Sequence, residues 1–226
     1  MNVVYSSTEE NYLKAIYHLQ QLHERVSTTQ LADHMRIRPA TATDMLQKLE
    51  QKKLLHYKKY YGFTLTAAGL RLAVHVIRKH RLWELFLVEK LHFGWEEVHE
   101  IAEELEHISS KKLVDQLEIF LEYPQCDPHG DPIPDINGKM PSLQQLAVTD
   151  LPINSIAVVN GISDQSQDML ELLKHKNIHI GTRIEVKKRF GVDGSVELKL
   201  RSQQPVTVSE HVAKNLLVSY DNKSKS

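Results

Sequence analysis

Hydrophobic positions up to about residue 122 recur at three- and four-residue intervals, the spacing of one face of a helix. In "STTQLADHMRIRPATATDMLQKLEQKKLL", Ser27 or Thr28 can cap a helix whose apolar residues are Leu31, Ala32 and Met35. "RIRP" breaks it, and Pro39 suits the first turn of a second helix with Ala42, Met45, Leu46 and Leu49 on one face. "LLHYKKYYGFTLT" then supplies two short strands about Tyr61-Gly62, which with the preceding pair predicts a winged helix-turn-helix. A long helix follows in "TAAGLRLAVHVIRKHRLWELFLVEKL". Five of the eight prolines fall in "YPQCDPHGDPIPDINGKMP", so residues 123 to about 150 read as a connecting segment. From about Ile153 the pattern alternates, and "RIEVKKRFGVDGSVELKL" predicts a hairpin turning at Asp193-Gly194. The expected fold is mainly α with small β elements: a helical N-terminal portion, a β-rich C-terminal domain, and a frayed tail "DNKSKS".

Charge sharpens this picture through its distribution. The 226-residue chain has a net charge of −1, yet Arg36 to Tyr60 holds seven Lys/Arg against Asp44 and Glu50, and Glu96 to Glu122 holds nine acids against Lys111 and Lys112. A basic segment followed by an acidic one suggests two jobs in one chain. With the second helix entering the major groove N-terminus first, Thr41 and Thr43 would meet bases or phosphates. Arg36, Arg38 and Lys48, with Lys58 and Lys59 near the wing tip, would neutralise phosphates. Asp44 opposes that reading unless it accepts from a cytosine amino group. Cys126 is the single cysteine, no apolar run approaches the roughly 20 residues of a membrane span, and the N-terminus lacks a signal-peptide layout. A soluble, cytoplasmic protein with no membrane partner is expected.

The acidic segment carries the candidate chemistry. His80 and Glu84 lie four apart on one helix face; with His99 they give two imidazoles and a carboxylate, a set suited to Mn, Fe, Co, Ni or Zn. In "VHEIAEELEHI", His99, Glu103, Glu106 and His107 would share roughly one helix face, and the last three form a second, oxygen-rich group favouring Mn(II) or Fe(II). The competing explanation for Glu103 and Glu106 is a solvated acidic face, and His18, His23 and His75 are assigned no role. "EELEH" is also near the H-x-x-E-H zinc-hydrolase pattern, but Glu103 stands where the first histidine belongs. A metal-independent winged-helix protein with dimerising acidic helices is the other alternative.

Together "ENYLKAIY", the helix-turn-helix, "LTAAG", "RKHRLWE", "VHEIAEELEHI" and "DPHGDPIP" resemble the diphtheria toxin repressor family of metal-dependent transcriptional regulators, in order and over essentially the whole chain. The resemblance implies a winged-helix DNA-binding domain over residues 1–70, a helical metal-binding and dimerisation domain over 71–143, and an SH3-like, FeoA-like β-barrel over 150–222. It implies that His80, Glu84 and His99 form one metal site, and that Glu103, Glu106 and His107 form a second with residue 11. Iron-type members have cysteine at the position of Glu103 and methionine at that of Asn11; manganese-type members have aspartate at the latter. Asn11 therefore departs from both. A "CPHG" motif of some members aligns with "DPHG", which makes Asp127 and His129 candidate ligands, and Asp164 in "ISDQSQ" is a further one. The function implied is a homodimeric, non-enzymatic repressor that binds a palindromic double-stranded DNA operator when Mn(II), or alternatively Fe(II), is abundant, and so controls metal-uptake genes.

Overall fold

A computed structural model describes residues 5–23, 25–58, 62–200 and 204–219. The chain divides into two compact units: residues 1–80, 103–114 and 134–140 form one, and 81–102, 115–133 and 141–226 the other.

The first unit opens with α1 (Ser7–Leu22), fixed at its start by a capping box in which Glu9 N–H donates to Ser6 Oγ and Ser6 N–H to Glu9 Oε2. The expected helix-turn-helix is α2 (Thr28–His34) and α3 (Pro39–Gln51). Ser27 and Gln30 form the capping box of α2, Arg36 takes a left-handed conformation at φ 54° to turn the chain, and Pro39 starts α3. Leu13, Ile16, Leu31, Leu46 and Leu49 bury completely in one core, with Phe63 packed into it. The wing is β1 (Leu55–Lys58) against antiparallel β2 (Gly62–Leu65), in the register Leu55↔Leu65 to Lys58↔Gly62. Its tip, with Lys59, Tyr60 and Tyr61, lies outside the described residues, as does the polar tail.

α4 (Ala67–Leu91) carries the long helical pattern, its start capped by Thr66 Oγ1 accepting from Gly69 N–H. Gly69 is required there, because a Cβ would fall 1.9 Å from the Leu54 carbonyl oxygen. α5 (Val98–Leu105) is shorter than the sequence pattern suggests. Ile108 N–H donates to the Leu105 carbonyl in a turn, so Glu106 and His107 lie beyond the helix end, although Glu106 and Glu103 still meet the same Lys14 ammonium. α6 (Lys111–Phe120) follows.

The C-terminal part of the second unit is a six-stranded antiparallel sheet in the order β3-β8-β4-β5-β6-β7. Its strands are β3 (Leu146–Ala147), β4 (Ile156–Ile162), β5 (Arg183–Arg189), β6 (Val196–Leu200), β7 (Val206–Val208) and β8 (Leu216–Ser219). Alternate residues of β5 and β6, among them Ile184, Val186, Val196, Leu198 and Leu200, are buried in a core that also takes in Trp95. The hairpin anticipated at Asp193-Gly194 is β5–β6, with Gly194 at φ 69°. Two helices interrupt the alternation, α7 (Gln167–His175) and α8 (Glu210–Asn215).

The proline-rich segment connects the helical part to the sheet without helix or strand over residues 123–145, and part of it is packed. Asp127 N–H donates to the Asp131 carbonyl and Ile133 N–H to that of Gln125, folding residues 125–133 back on themselves, and Asp127, His129 and Ile133 are buried. Prolines exclude a helix without excluding a tight, packed loop.

Candidate metal centre

Within the second unit, Glu84 from α4, Asp127 and His129 present one ligand atom each within 4.8 Å of one another, and all three residues are buried. His99, the second residue of α5 and largely exposed, brings Nδ1 to 3.3 Å from Glu84 Oε1. His80 stands one turn before Glu84 on α4.

The "DPHG" loop sets this geometry. Asp127 Oδ1 accepts from the N–H groups of His129 (2.8 Å) and Asp131 (3.0 Å), a local turn that directs the other oxygen elsewhere. Gly130 follows at φ 89°, where a Cβ would lie 2.2 Å from the Asn160 carbonyl oxygen, so only glycine lets the loop approach β4. The His129 carbonyl in turn accepts from Ile162 N–H. The His129 ring stacks on Trp95, and its Nε2 lies 2.8 Å from the Trp95 carbonyl oxygen. A carbonyl only accepts, so Nε2 carries the proton and Nδ1 keeps its lone pair. That Nδ1 is buried without a hydrogen-bond partner, 3.9 Å from Glu84 Oε2.

Electrostatics point the same way. Burial pushes the Asp127 carboxyl well above its ordinary range; the Glu84 and Asp131 charges add to this, while Arg81, 3.7 Å away, opposes it. Two buried carboxylates beside an imidazole lone pair fit a divalent cation, which relieves their repulsion and takes the lone pair. Nitrogen and oxygen are the donors; the Cys126 thiol is one residue away, and burial raises its pKa first of all, holding it protonated.

Asp164 does not join this group. Its Oδ1 accepts from Ser166 N–H and its Oδ2 lies 3.2 Å from His211 Nε2; these contacts hold its pKa down and account for the carboxylate on their own.

The residues expected at the second site lie in the first unit with different partners. His80 Nδ1 is 2.7 Å from Glu106 Oε2, and Lys14 Nζ is 2.8 Å from the Glu106 carboxylate and 3.3 Å from Glu103 Oε1. His107 Nδ1 is 2.6 Å from Glu10 Oε2, and the buried Lys79 ammonium is 3.8 Å from Glu10. Burial would raise the Glu106 pKa, but His80 and Lys14 together bring it below its ordinary value. Asn11 Oδ1 is buried without a hydrogen-bond partner. Sequence reasoning missed Lys14, Glu10 and Lys79; the four-residue spacing of Glu10 and Lys14 in "ENYLK" was the available signal. It also missed Trp95, whose contribution to His129 is a backbone carbonyl that no side-chain pattern reveals.

On the winged helix, Arg36, Arg38 and Thr41 are exposed. Thr43 Oγ1 donates to the Pro39 carbonyl. Lys48 Nζ lies 3.0 Å from the buried Glu9, which also takes Lys52, so its charge is shared with α1. Lys58 ends β1, and Lys59 lies outside the described residues.

Comparison with known proteins gives three successive matches. Residues 5–63 match the iron-dependent repressor N-terminal DNA-binding domain, 66–135 the iron-dependent repressor metal-binding and dimerisation domain, and 146–220 the FeoA domain. A solved manganese-dependent transcriptional repressor in complex with manganese is 32% identical, with 94% of this chain and 99% of that chain covered and a TM-score of 0.82. The iron-dependent repressor IdeR of Mycobacterium leprae is 27% identical over 91% of this chain and 94% of its own. The regulator MntR of Oceanobacillus iheyensis is 30% identical over 50% of this chain and 77% of its own. With all three domains matched in order and a full-length structural relative above 30% identity, this chain belongs to the diphtheria toxin repressor family of metal-dependent transcriptional regulators.

Proposed function

We propose that this chain is a homodimeric repressor whose binding to a palindromic double-stranded DNA operator depends on a divalent ion, Mn(II) in the first place and Fe(II) as the alternative, held by Glu84, Asp127, His129, His80 and His99. The observation that carries this reading is the buried, unpartnered His129 Nδ1 beside Glu84. When bound, the ion supplies positive charge to two buried carboxylates. The chain's residues do the rest: Trp95 fixes the His129 tautomer, the Asp127 turn orders the loop, and α4 brings Glu84 to it. The aspartate in "DPHG", where a thiolate would prefer softer ions, favours Mn(II). Arg36, Arg38 and Thr41 would face the operator, with Thr43, Lys48, Lys58 and Lys59 beside them. A palindromic site matches a two-fold dimer, and the genes controlled would be those of metal uptake in the cytoplasm where the protein works.

The switch requires the ion to favour the DNA-competent state over the other. Fluorescence anisotropy on fragments upstream of this gene and of metal-transporter genes, at fixed salt, is the test. Tight binding with Mn(II) and its loss in EDTA is expected. Equal binding in EDTA would instead establish a metal-independent winged-helix protein. The manganese and iron repressors to which the chain is similar are regulators rather than enzymes, which speaks against the metallohydrolase.

A further inference from the structure

We infer that Lys14, rather than a second metal ion, neutralises the carboxylates at the end of α5. Its ammonium lies 2.8 Å from the Glu106 carboxylate and 3.3 Å from Glu103 Oε1, with 12% of the Lys14 side chain exposed and none of the Glu106 side chain. Of the other groups that an ion would use, Glu106 also meets His80 Nδ1 and His107 meets Glu10, while the buried Asn11 Oδ1 has no hydrogen-bond partner. Among the described residues, no three donors of this cluster come within the 4.8 Å that Glu84, Asp127 and His129 satisfy.

An ion bridging Glu103 and Glu106 would need the space that the ammonium fills, and the two cations would repel each other at that range. Asn11 supplies an amide where a carboxylate would have tipped the balance towards a divalent ion. The residues of this second cluster therefore do not fit the metal that the family resemblance places there. Glu106 becomes a positioning residue: by accepting from His80 Nδ1 it leaves Nε2 as that ring's ligand atom. Lys14, on α1, holds Glu106 in that role at every metal concentration. Among the described residues the metal-responsive centre is then the one at Glu84, and the second cluster holds Lys14 in place of an ion.

The inference rests on the proposed metal dependence for its biological meaning, but it is read separately from it. Equilibrium dialysis against Mn(II), with metal analysis of the full-length chain, gives the equivalents bound by the unaltered protein, Lys14→Met and Glu103→Gln, each checked for folding by circular dichroism. Lys14→Met is expected to bind one more equivalent per chain than the unaltered protein, and Glu103→Gln the same number. One equivalent fewer in Glu103→Gln, or no gain in a folded Lys14→Met, overturns the inference. If Lys14→Met does not fold, the exposed Glu103→Gln decides. An unaltered chain that takes up no Mn(II) contradicts the proposed function, while the gain or its absence in Lys14→Met still decides the role of Lys14.

Discussion

At the residue scale, Glu9 shows a buried charge held by partners built into the fold. It is 1% exposed, caps α1, and accepts Lys52 at 2.6 Å and Lys48 at 3.0 Å. Burial alone would raise its pKa, yet the two lysines and the Ser6 N–H bring it from 4.5 to about 2. A folded-state value below the unfolded one stabilises the fold above pH 4.5, and that contribution is lost as the pH falls towards 2. Glu9→Gln keeps the cap geometry and loses the charge, so it should cost about 1–2 kcal/mol at pH 7. Thermal melts in EDTA should show this gap closing on acidification; a gap independent of pH would mean that lost packing, not lost charge, is the cause. The contrast with the Glu84 group is informative. There the buried carboxylates have Arg81 at 3.7 Å from Asp127 and an imidazole lone pair with no donor opposite it. These details were only partly legible in the sequence. The i, i+4 pairs placed His80 with Glu84, but the resemblance alone pointed to Asp127 and His129, and the Glu10–Lys14 spacing marked Lys14 as a charged helix position without pointing to Glu106, 92 residues away.

At the element scale, periodicity identified α2, α3 and α4, whose apolar residues recur at helical spacing, although α4 is buried on every side from Val76 to Leu85. It failed where the chain leaves regular structure. α5 stops at Leu105, so of the four residues expected on one helix face only His99 and Glu103 lie within the helix, and Glu103 and Glu106 both meet Lys14 while His107 meets Glu10. The proline-rich segment is a connection, as its prolines predict, and its residues 125–133 also form the loop that holds two candidate ligands, because its backbone groups bond to each other and to β4. That loop depends on one glycine. Gly130→Ala combines a left-handed φ of 89° with a Cβ 2.2 Å from the Asn160 carbonyl oxygen, and backbone cannot yield as a flexible side chain can. It should destabilise the fold by about 1–3 kcal/mol. It should also weaken Mn(II) binding at least tenfold by displacing His129, as isothermal titration calorimetry would read. Unchanged Mn(II) affinity in the folded variant would detach the loop from the metal.

At the scale of the whole molecule, the uneven charge distribution in the sequence corresponds to real differences of place. The basic stretch forms the helix-turn-helix and wing, and the acidic stretch supplies Glu84's neighbour His99 and the carboxylates that Lys14 occupies. No helix among the described residues is long and apolar enough to cross a membrane. In the proposed function the response to metal runs through Glu84, Asp127 and His129. Anomalous diffraction at the manganese edge from crystals grown with Mn(II) tests it most directly. An anomalous peak is expected among Glu84, Asp127 and His129, with His80 and His99 as the remaining candidate ligands, and Lys14 still seated between Glu103 and Glu106. A peak held by Glu103, Glu106 and His107, with none at Glu84, would contradict it.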